Sequence, residues 1–391
     1  MTQSTETAGS TDIRPFRIDI PQADIDDLRD RLARTRWPDM LEGVGWGYGI
    51  PLDYVKELAE YWRTEYDWRK HEGRLNKSPQ FTTMIDGENV HFLHIRSPEP
   101  NALPLLVTHG WPGSVAEFMR IIGPLTDPAT HGGDRADAFH VVAPSIPGFA
   151  FSGPTKQTGW HMRRVADAFA QLMSRLGYER YFAHGGDWGA GISRELGLRD
   201  PGHAAGVHLT MLTTVPTADD LSQLTPVEQT RIARALQFRQ EGTGYFQEQA
   251  TKPQTLAYGL ADSPAGQLAW IAEKFKEWTD SKDRPDDAVD RDQMLTNISI
   301  YWFTNTAGSS ARIYYETMHA GGAFGPNPET SATPTGVAVF PREIAPSIRH
   351  IAERSNNIVH WSEFERGGHF AAMEVPDVLV TDLRDFARLF R

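Results

Sequence analysis

The chain of 391 residues predicts an α/β fold: a largely parallel sheet covered by helices, with a mainly helical N-terminal extension before it and a helical insertion within it. Three observations predict this. Apolar runs at Leu103–Thr108, 139–143, 181–183 and 206–212 read as buried strands, and helical sequence separates most of them. The pentapeptide Gly185-Gly186-Asp187-Trp188-Gly189 lies between one such strand and a segment able to form a helix. Beyond the last of these runs, strand character is nearly absent until 337–340 and 357–361.

Residues 1–14 are mostly polar and are expected to form a disordered tail. Residues 15–78 form the N-terminal region. Ile25, Leu28 and Leu32 share one face of a helix opening near Pro21, which Arg36-Trp37-Pro38 ends. A glycine-rich connection over 43–49 leads to a second helix marked by Leu52, Val55, Leu58 and Trp62. Residues 79–213 are the first part of the α/β core. It opens with a β-hairpin, 81–85 and 90–95, joined by Asp86-Gly87, a type I′ turn signal. Val165, Phe169, Leu172, Met173 and Leu176 recur at helical spacing ahead of the strand at 181–183. Residues 214–325 read as a helical cap, and 326–391 as the second part of the core, closing with a helix from Pro376.

Thirty-nine basic against 51 acidic residues give a net charge of −12, which argues against a nucleic-acid or anionic-membrane partner. The chain has no cysteine, which excludes disulfides, a thiolate nucleophile and cysteine metal sites. No apolar run reaches membrane-spanning length, and the first residues lack the order of a signal peptide. The expectation is a soluble, cytoplasmic protein without a membrane anchor. Oligomeric state is left open, a homodimer included. Neither HExxH nor a phosphate loop occurs, so no metal and no cofactor are expected.

The pentapeptide has the pattern of a nucleophile elbow, a sharp strand-to-helix turn that exposes its central side chain at the carboxyl end of a sheet. Here that side chain is a carboxylate. An ionised Asp187, favoured further by a helix N-terminus, can displace a leaving group at saturated carbon and form an alkyl ester. Epoxides and alkyl halides react this way. A serine esterase is disfavoured because no Gly-x-Ser-x-Gly occurs. On an α/β-hydrolase core the triad runs nucleophile, acid, histidine. His369, in Arg366-Gly367-Gly368-His369-Phe370, suits the base, its glycine pair fitting an exposed loop. An unperturbed imidazole there would give loss of activity below about pH 6. Glu343 is a candidate acid, with Glu363 and Glu365 as competitors. The oxyanion hole would use the backbone N–H of Trp188 and that of Trp111, in the loop His109-Gly110-Trp111-Pro112-Gly113. An epoxide also needs a weak acid on its oxygen, and a phenol suits this. Tyr245 and Tyr314 lie in the cap, although aromatic residues there are more often core.

Taken in order, these motifs resemble the microsomal-type epoxide hydrolases, the α/β-hydrolase branch that includes the juvenile hormone epoxide hydrolases. The resemblance spans nearly the whole chain. It rests on 16–39, His109-Gly110-Trp111-Pro112-Gly113-Ser114, Gly186-Asp187-Trp188-Gly189, Thr251-Lys252-Pro253, Tyr301-Trp302 and Arg366-Gly367-Gly368-His369-Phe370-Ala371-Ala372. It implies hydrolysis of a small hydrophobic epoxide by water to a vicinal diol. Asp187 would be the nucleophile, His369 the base, Glu343 its orienting acid, and Tyr245 and Tyr314 the ring-opening pair, with Trp111 also lining the substrate site. Tyr315, beside Tyr314, remains an alternative. Two other readings stay open: a haloalkane dehalogenase using the same aspartate, with the Trp188 and Trp111 indoles as halide donors, and a non-catalytic ligand-binding protein on the same fold.

Overall fold

A computed structural model describes residues 12–322, 329–345 and 347–391. Residues 1–11, within the expected tail, and position 325, the expected end of the cap, lie outside the described residues. The sheet has nine strands: β1 Arg14–Phe16, β2 Gln80–Ile85, β3 Glu88–Ile95, β4 Leu103–Thr108, β5 Phe139–Pro144, β6 Tyr181–Gly185, β7 Ala204–Leu209, β8 Ser331–Val339 and β9 Asn356–Glu363. Their spatial order is β1-β2-β3-β5-β4-β6-β7-β8-β9. The pairs β1–β2, β2–β3 and β3–β5 are antiparallel, and every later pair is parallel.

The parallel strands are buried on both faces, which is why they read as continuous apolar runs. Leu106, Val142, Ala183 and Val337 face one apolar cluster; their neighbours Leu105, Val141, Phe182 and Ala338 face another. The first cluster is closed by helices Met162–Arg175 and Asp187–Arg199, the N-terminal region and the insertion. The second is closed by helix Pro376–Arg388, through Leu379, Leu383 and Phe386, and by the segment after β4 that carries Val115, Phe118 and Ile121. At the β2–β3 turn Asp86 and Gly87 have φ of 49° and 82°, both positive as a type I′ turn demands.

Three elements differ from the sequence reading. Arg14, expected in the tail, begins β1, which pairs with β2 at the sheet edge. A three-residue edge strand has no periodicity to betray it. A third N-terminal helix, Trp68–Leu75, follows the two expected ones. Strand β8 begins six residues earlier than its apolar run, at Ser331, and includes Pro334; its pairing shifts register between Ser331 and Pro334.

Between β7 and β8 the described residues contain no strand. Helix Arg291–Thr304 of this insertion is buried along most of its length, and the N-terminal region packs against it. Tyr61 donates to Asp292, Trp62 to Ser299, and Tyr66 shares a hydrogen bond with Thr296. On the β7–β9 side, His208 and His360 bond the two oxygens of Asp382 at 2.8 and 2.7 Å. These three groups have metal-ligand chemistry and lie within 4.8 Å of one another, yet each already satisfies its neighbour by hydrogen bonding. Among the described residues no helix is long and apolar enough to cross a membrane.

Candidate active site

The elbow forms where the pattern places it. Gly185 ends β6, Gly186 is the N-cap, and Asp187 opens the helix Asp187–Arg199 with φ 48°, a left-handed backbone that non-glycine residues rarely adopt. The flanking glycines are required by close approach. A Cβ on Gly185 would lie 2.2 Å from the Gly189 backbone, and one on Gly189 would lie 1.9 Å from the Thr108 carbonyl oxygen. The elbow is thereby pressed against the end of β4, in register with the ladder pair Thr108–Gly185.

The loop after β4 meets it from the other side. The Trp111 N–H donates to Asp187 Oδ1 at 2.7 Å, and the Trp188 N–H also bonds this carboxylate. The loop is held by its own ring and by the insertion. His109 Nδ1–H donates to the Gly110 carbonyl, and its Nε2 accepts from the Ile146 N–H. Burial lowers its pKa to about 4, so it stays a neutral strut. Asn297 donates to the Pro112 carbonyl, Tyr301 to the Gly113 carbonyl, and Ser114 to Asn297. All three contacts tie the loop to helix Arg291–Thr304, the helix braced by the N-terminal region.

Asp187 and His369 are both 6% exposed, and His369 Nε2 lies 3.6 Å from Asp187 Oδ2. His369 Nδ1 bonds Glu343 Oε1 at 2.8 Å. The imidazole was expected on an exposed loop; it is instead buried under the insertion, and the His369 backbone N–H donates to the Trp278 carbonyl. That explains the glycine pair. Gly367 has φ 96°, and a Cβ on Gly368 would lie 2.5 Å from the Trp278 carbonyl oxygen. The competing acids do not reach the ring: Glu363 is exposed and paired with Arg231, and Glu365 is exposed.

Four rings pack on one another beside the elbow. Trp111 stacks on Tyr245 with centroids 5.1 Å apart, and Tyr314 packs edge-on to Trp188 at 4.7 Å and to Trp111 at 5.9 Å. Tyr314 is 1% exposed, whereas Tyr315 is 38% exposed and stacks on His319. The structure therefore brings Tyr314, not Tyr315, to Asp187.

Burial governs the electrostatics. It raises the Asp187 pKa, against the charge of His369 and the two tryptophan N–H groups, where the sequence alone suggested a helix-terminus stabilisation of the anion. Burial alone would lower His369, but Glu343, by charge and hydrogen bond, with Asp187 and Glu117, raises it to about 9. The inflection near pH 6 expected for an unperturbed imidazole is thus displaced upward in the free protein. Burial pushes both phenols well above 10, Asp187 adding to the shift, so they remain donors.

Sequence reasoning missed three groups here. Asn297 and Tyr301 look like core positions of an apolar helix, and only Tyr301 was noted, within a dipeptide. Glu117 sits in an apolar stretch after the loop and is 8% exposed, its pKa pushed up to about 8 by burial and the nearby Asp187 charge against the pull of His369. A lone carboxylate among apolar residues was the available signal.

Residues 13–118 match the family model described as epoxide hydrolase N terminus, and 104–265 match that of the alpha/beta hydrolase fold. A Stigmatella aurantiaca protein provisionally named an epoxide hydrolase is 49% identical over 97% of this chain and 86% of its own length. Epoxide hydrolase 1 of Sus scrofa is 36% identical over 96% of this chain and 89% of its own. The chain belongs to the epoxide hydrolase family. As an epoxide hydrolase family member it also superimposes on solved relatives. The crystal structure of juvenile hormone epoxide hydrolase from Bombyx mori matches with a TM-score of 0.88 at 32% identity, over 97% of this chain and 96% of that one. The Aspergillus niger epoxide hydrolase matches at 0.86 and 32%, over 98% of both. The α/β-hydrolase fold expected from the sequence is the fold observed.

Proposed function

We propose that this epoxide hydrolase opens an epoxide to a vicinal diol through an ester on Asp187. The observation that carries this reading is the division of the carboxylate: Oδ1 is held by the Trp111 N–H, while Oδ2 faces His369 without a hydrogen bond of normal length. Oδ2 is the attacking oxygen. Tyr245 and Tyr314 donate to the epoxide oxygen, and one phenol proton passes to it as the C–O bond breaks and the Oδ2–carbon bond forms. The helices between β7 and β8 serve as the cap that carries both phenols and excludes water.

Oδ1 is now the ester carbonyl oxygen, already in its hydrogen-bond site. His369, oriented by Glu343, takes a proton from water. The hydroxide attacks Asp187 Cγ, charge develops on Oδ1, and the two tryptophan N–H groups stabilise it. The tetrahedral centre collapses, the diol oxygen leaves with the proton from His369, and the phenolate recovers its proton from the new Asp187 carboxyl group, which still carries the second water hydrogen. The net change is epoxide plus water to diol. The paired phenols favour this reading over halide displacement, which needs no proton donor on a ring oxygen.

Asp187→Ala should abolish turnover of aryl and alkyl epoxides, measured as diol by chromatography. In a single turnover in H2¹⁸O the label should enter Asp187, and the first diol should be unlabelled. A labelled first diol with an unlabelled protein contradicts the ester route.

A further inference from the structure

Glu117 is a buried acidic group at the site that the reaction above leaves without a task. It lies in the 3₁₀ segment Val115–Arg120, whose cap, Ser114, accepts from the Ala116 N–H. The segment turns the Glu117 side chain inward under the oxyanion loop. There Oε1 is closed off from solvent and has no hydrogen-bond partner among the described residues. It fills the hollow of the Gly110–Gly113 turn: a Cβ on Gly113 would lie 1.3 Å from Oε1 and 3.3 Å from the Gly110 carbonyl oxygen. Residue 113 must be glycine for the carboxyl group to occupy that hollow. An orphaned carboxyl oxygen in such a place is a cost to folding, and it persists where function requires it.

Its surroundings indicate what it serves. The charges of Asp187 and His369 both act on Glu117, and Glu117 acts in turn on His369 and Tyr301. Glu117 and the nucleophile pack against the same loop: Glu117 Oε1 lies at Gly113, and a Cβ on Gly110 would lie 2.3 Å from Asp187 Oδ1. We propose that Glu117 is a positioning residue for the second half of the reaction: Oε1 accepts one hydrogen of the water whose other hydrogen His369 Nε2 removes. The proton goes to His369, no bond to Glu117 forms or breaks, and the hydroxide oxygen is aimed at Asp187 Cγ. The electrostatics fit the timing. The Asp187 charge is one cause of Glu117's raised pKa. Esterification removes that charge, so Glu117 ionises more readily in the intermediate that needs the acceptor.

The proposal rests on the two-step reading of Asp187, and the test separates them. Wild type, Glu117→Gln and Glu117→Met are mixed in single turnover with styrene oxide, following ester formation and decay by rapid quench and intact mass. Glu117→Gln keeps the volume and removes the charge; Glu117→Met removes all polarity on an unbranched chain. Ester formation should stay within about threefold of wild type, while ester decay slows about tenfold in Glu117→Gln and about a hundredfold in Glu117→Met, the scale of a misplaced reactant. In steady state kcat and KM should fall together, leaving kcat/KM unchanged, and the Glu117→Gln melting temperature should equal or exceed wild type. Should Glu117→Met fail to fold, Glu117→Gln alone decides. Equal slowing of both steps would assign Glu117 a merely structural role, and unchanged decay would remove it from the mechanism; either overturns the proposal and leaves the ester route standing. Diol formation from wild type without any ester would instead overturn the two-step reading.

Discussion

Replacing Gly189 with alanine tests whether the elbow and the oxyanion loop form one rigid unit. The new Cβ would lie 1.9 Å from the Thr108 carbonyl oxygen, 2.6 Å from its carbon and 2.8 Å from the His109 carbonyl oxygen. All three atoms are backbone, so no side chain can swing aside. Real Cβ contacts do not fall below 3.0 Å, and the elbow and the end of β4 must separate by roughly 1 Å. Trp111 follows Thr108 by three residues, and its N–H lies 2.7 Å from Asp187 Oδ1. A shift of that size breaks the hydrogen bond. Losing one oxyanion donor costs on the order of 10²–10³ in rate, about 3–4 kcal/mol. Overpacking costs about 1–3 kcal/mol of stability, against which the helix propensity of alanine over glycine returns up to about 1. The expected variant is folded, melts a few degrees lower and hydrolyses its ester about a hundredfold more slowly. Circular dichroism reports the fold, and single-turnover quench reports the rates. A folded Gly189→Ala whose ester decays within about threefold of wild type would refute the reasoning.

Two further predictions concern the rings and the buried charges. Tyr314→Phe and Tyr245→Phe should each slow ester formation about a hundredfold without slowing its decay comparably, whereas Tyr315→Phe should leave both steps near wild type; rapid-quench rates on the three variants check this. Stability should fall toward alkaline pH. His369 carries a folded pKa of about 9 against 6.5, so its contribution is complete below pH 6.5 and lost as pH rises to 9, a span on the order of 3 kcal/mol. Glu117, held protonated to about 8 against 4.5, acts in the same direction between those values, and the two titrate as a coupled pair. Urea unfolding midpoints from pH 6 to 9.5 should decline in wild type and flatten in Glu343→Gln.

The sequence exposed the parts of the site whose chemistry is local. The Asp187 pentapeptide announces a strained turn because only glycine fits at 185 and 189, and that constraint is written in five adjacent residues. The Asp86-Gly87 turn is legible for the same reason. What depends on distant packing was not legible. The glycines before His369 suggested exposure, whereas Gly368 admits the Trp278 carbonyl from the insertion 90 residues earlier. Adjacent Tyr314 and Tyr315 are equivalent as letters, and only the docking of helix Arg312–His319 turns one inward. Asn297 and Tyr301 read as core because their partners are the Pro112 and Gly113 carbonyls, backbone groups that leave no trace in the sequence. The N-terminal region acquires a purpose only when its hydrogen bonds to helix Arg291–Thr304, those of Tyr61, Trp62 and Tyr66 among them, are seen in line with that helix's grip on the oxyanion loop.

The ester on Asp187 is the centre of this account, and an intact-protein mass spectrum of His369→Gln mixed with aryl and alkyl epoxides tests it most directly. Removing the base should stop hydrolysis while leaving Oδ2 free to attack. The expected result is an added mass equal to one whole epoxide, absent when Asp187→Asn is placed in the same background. No adduct across the set, from a folded variant whose wild-type parent turns those epoxides to diols, would contradict it.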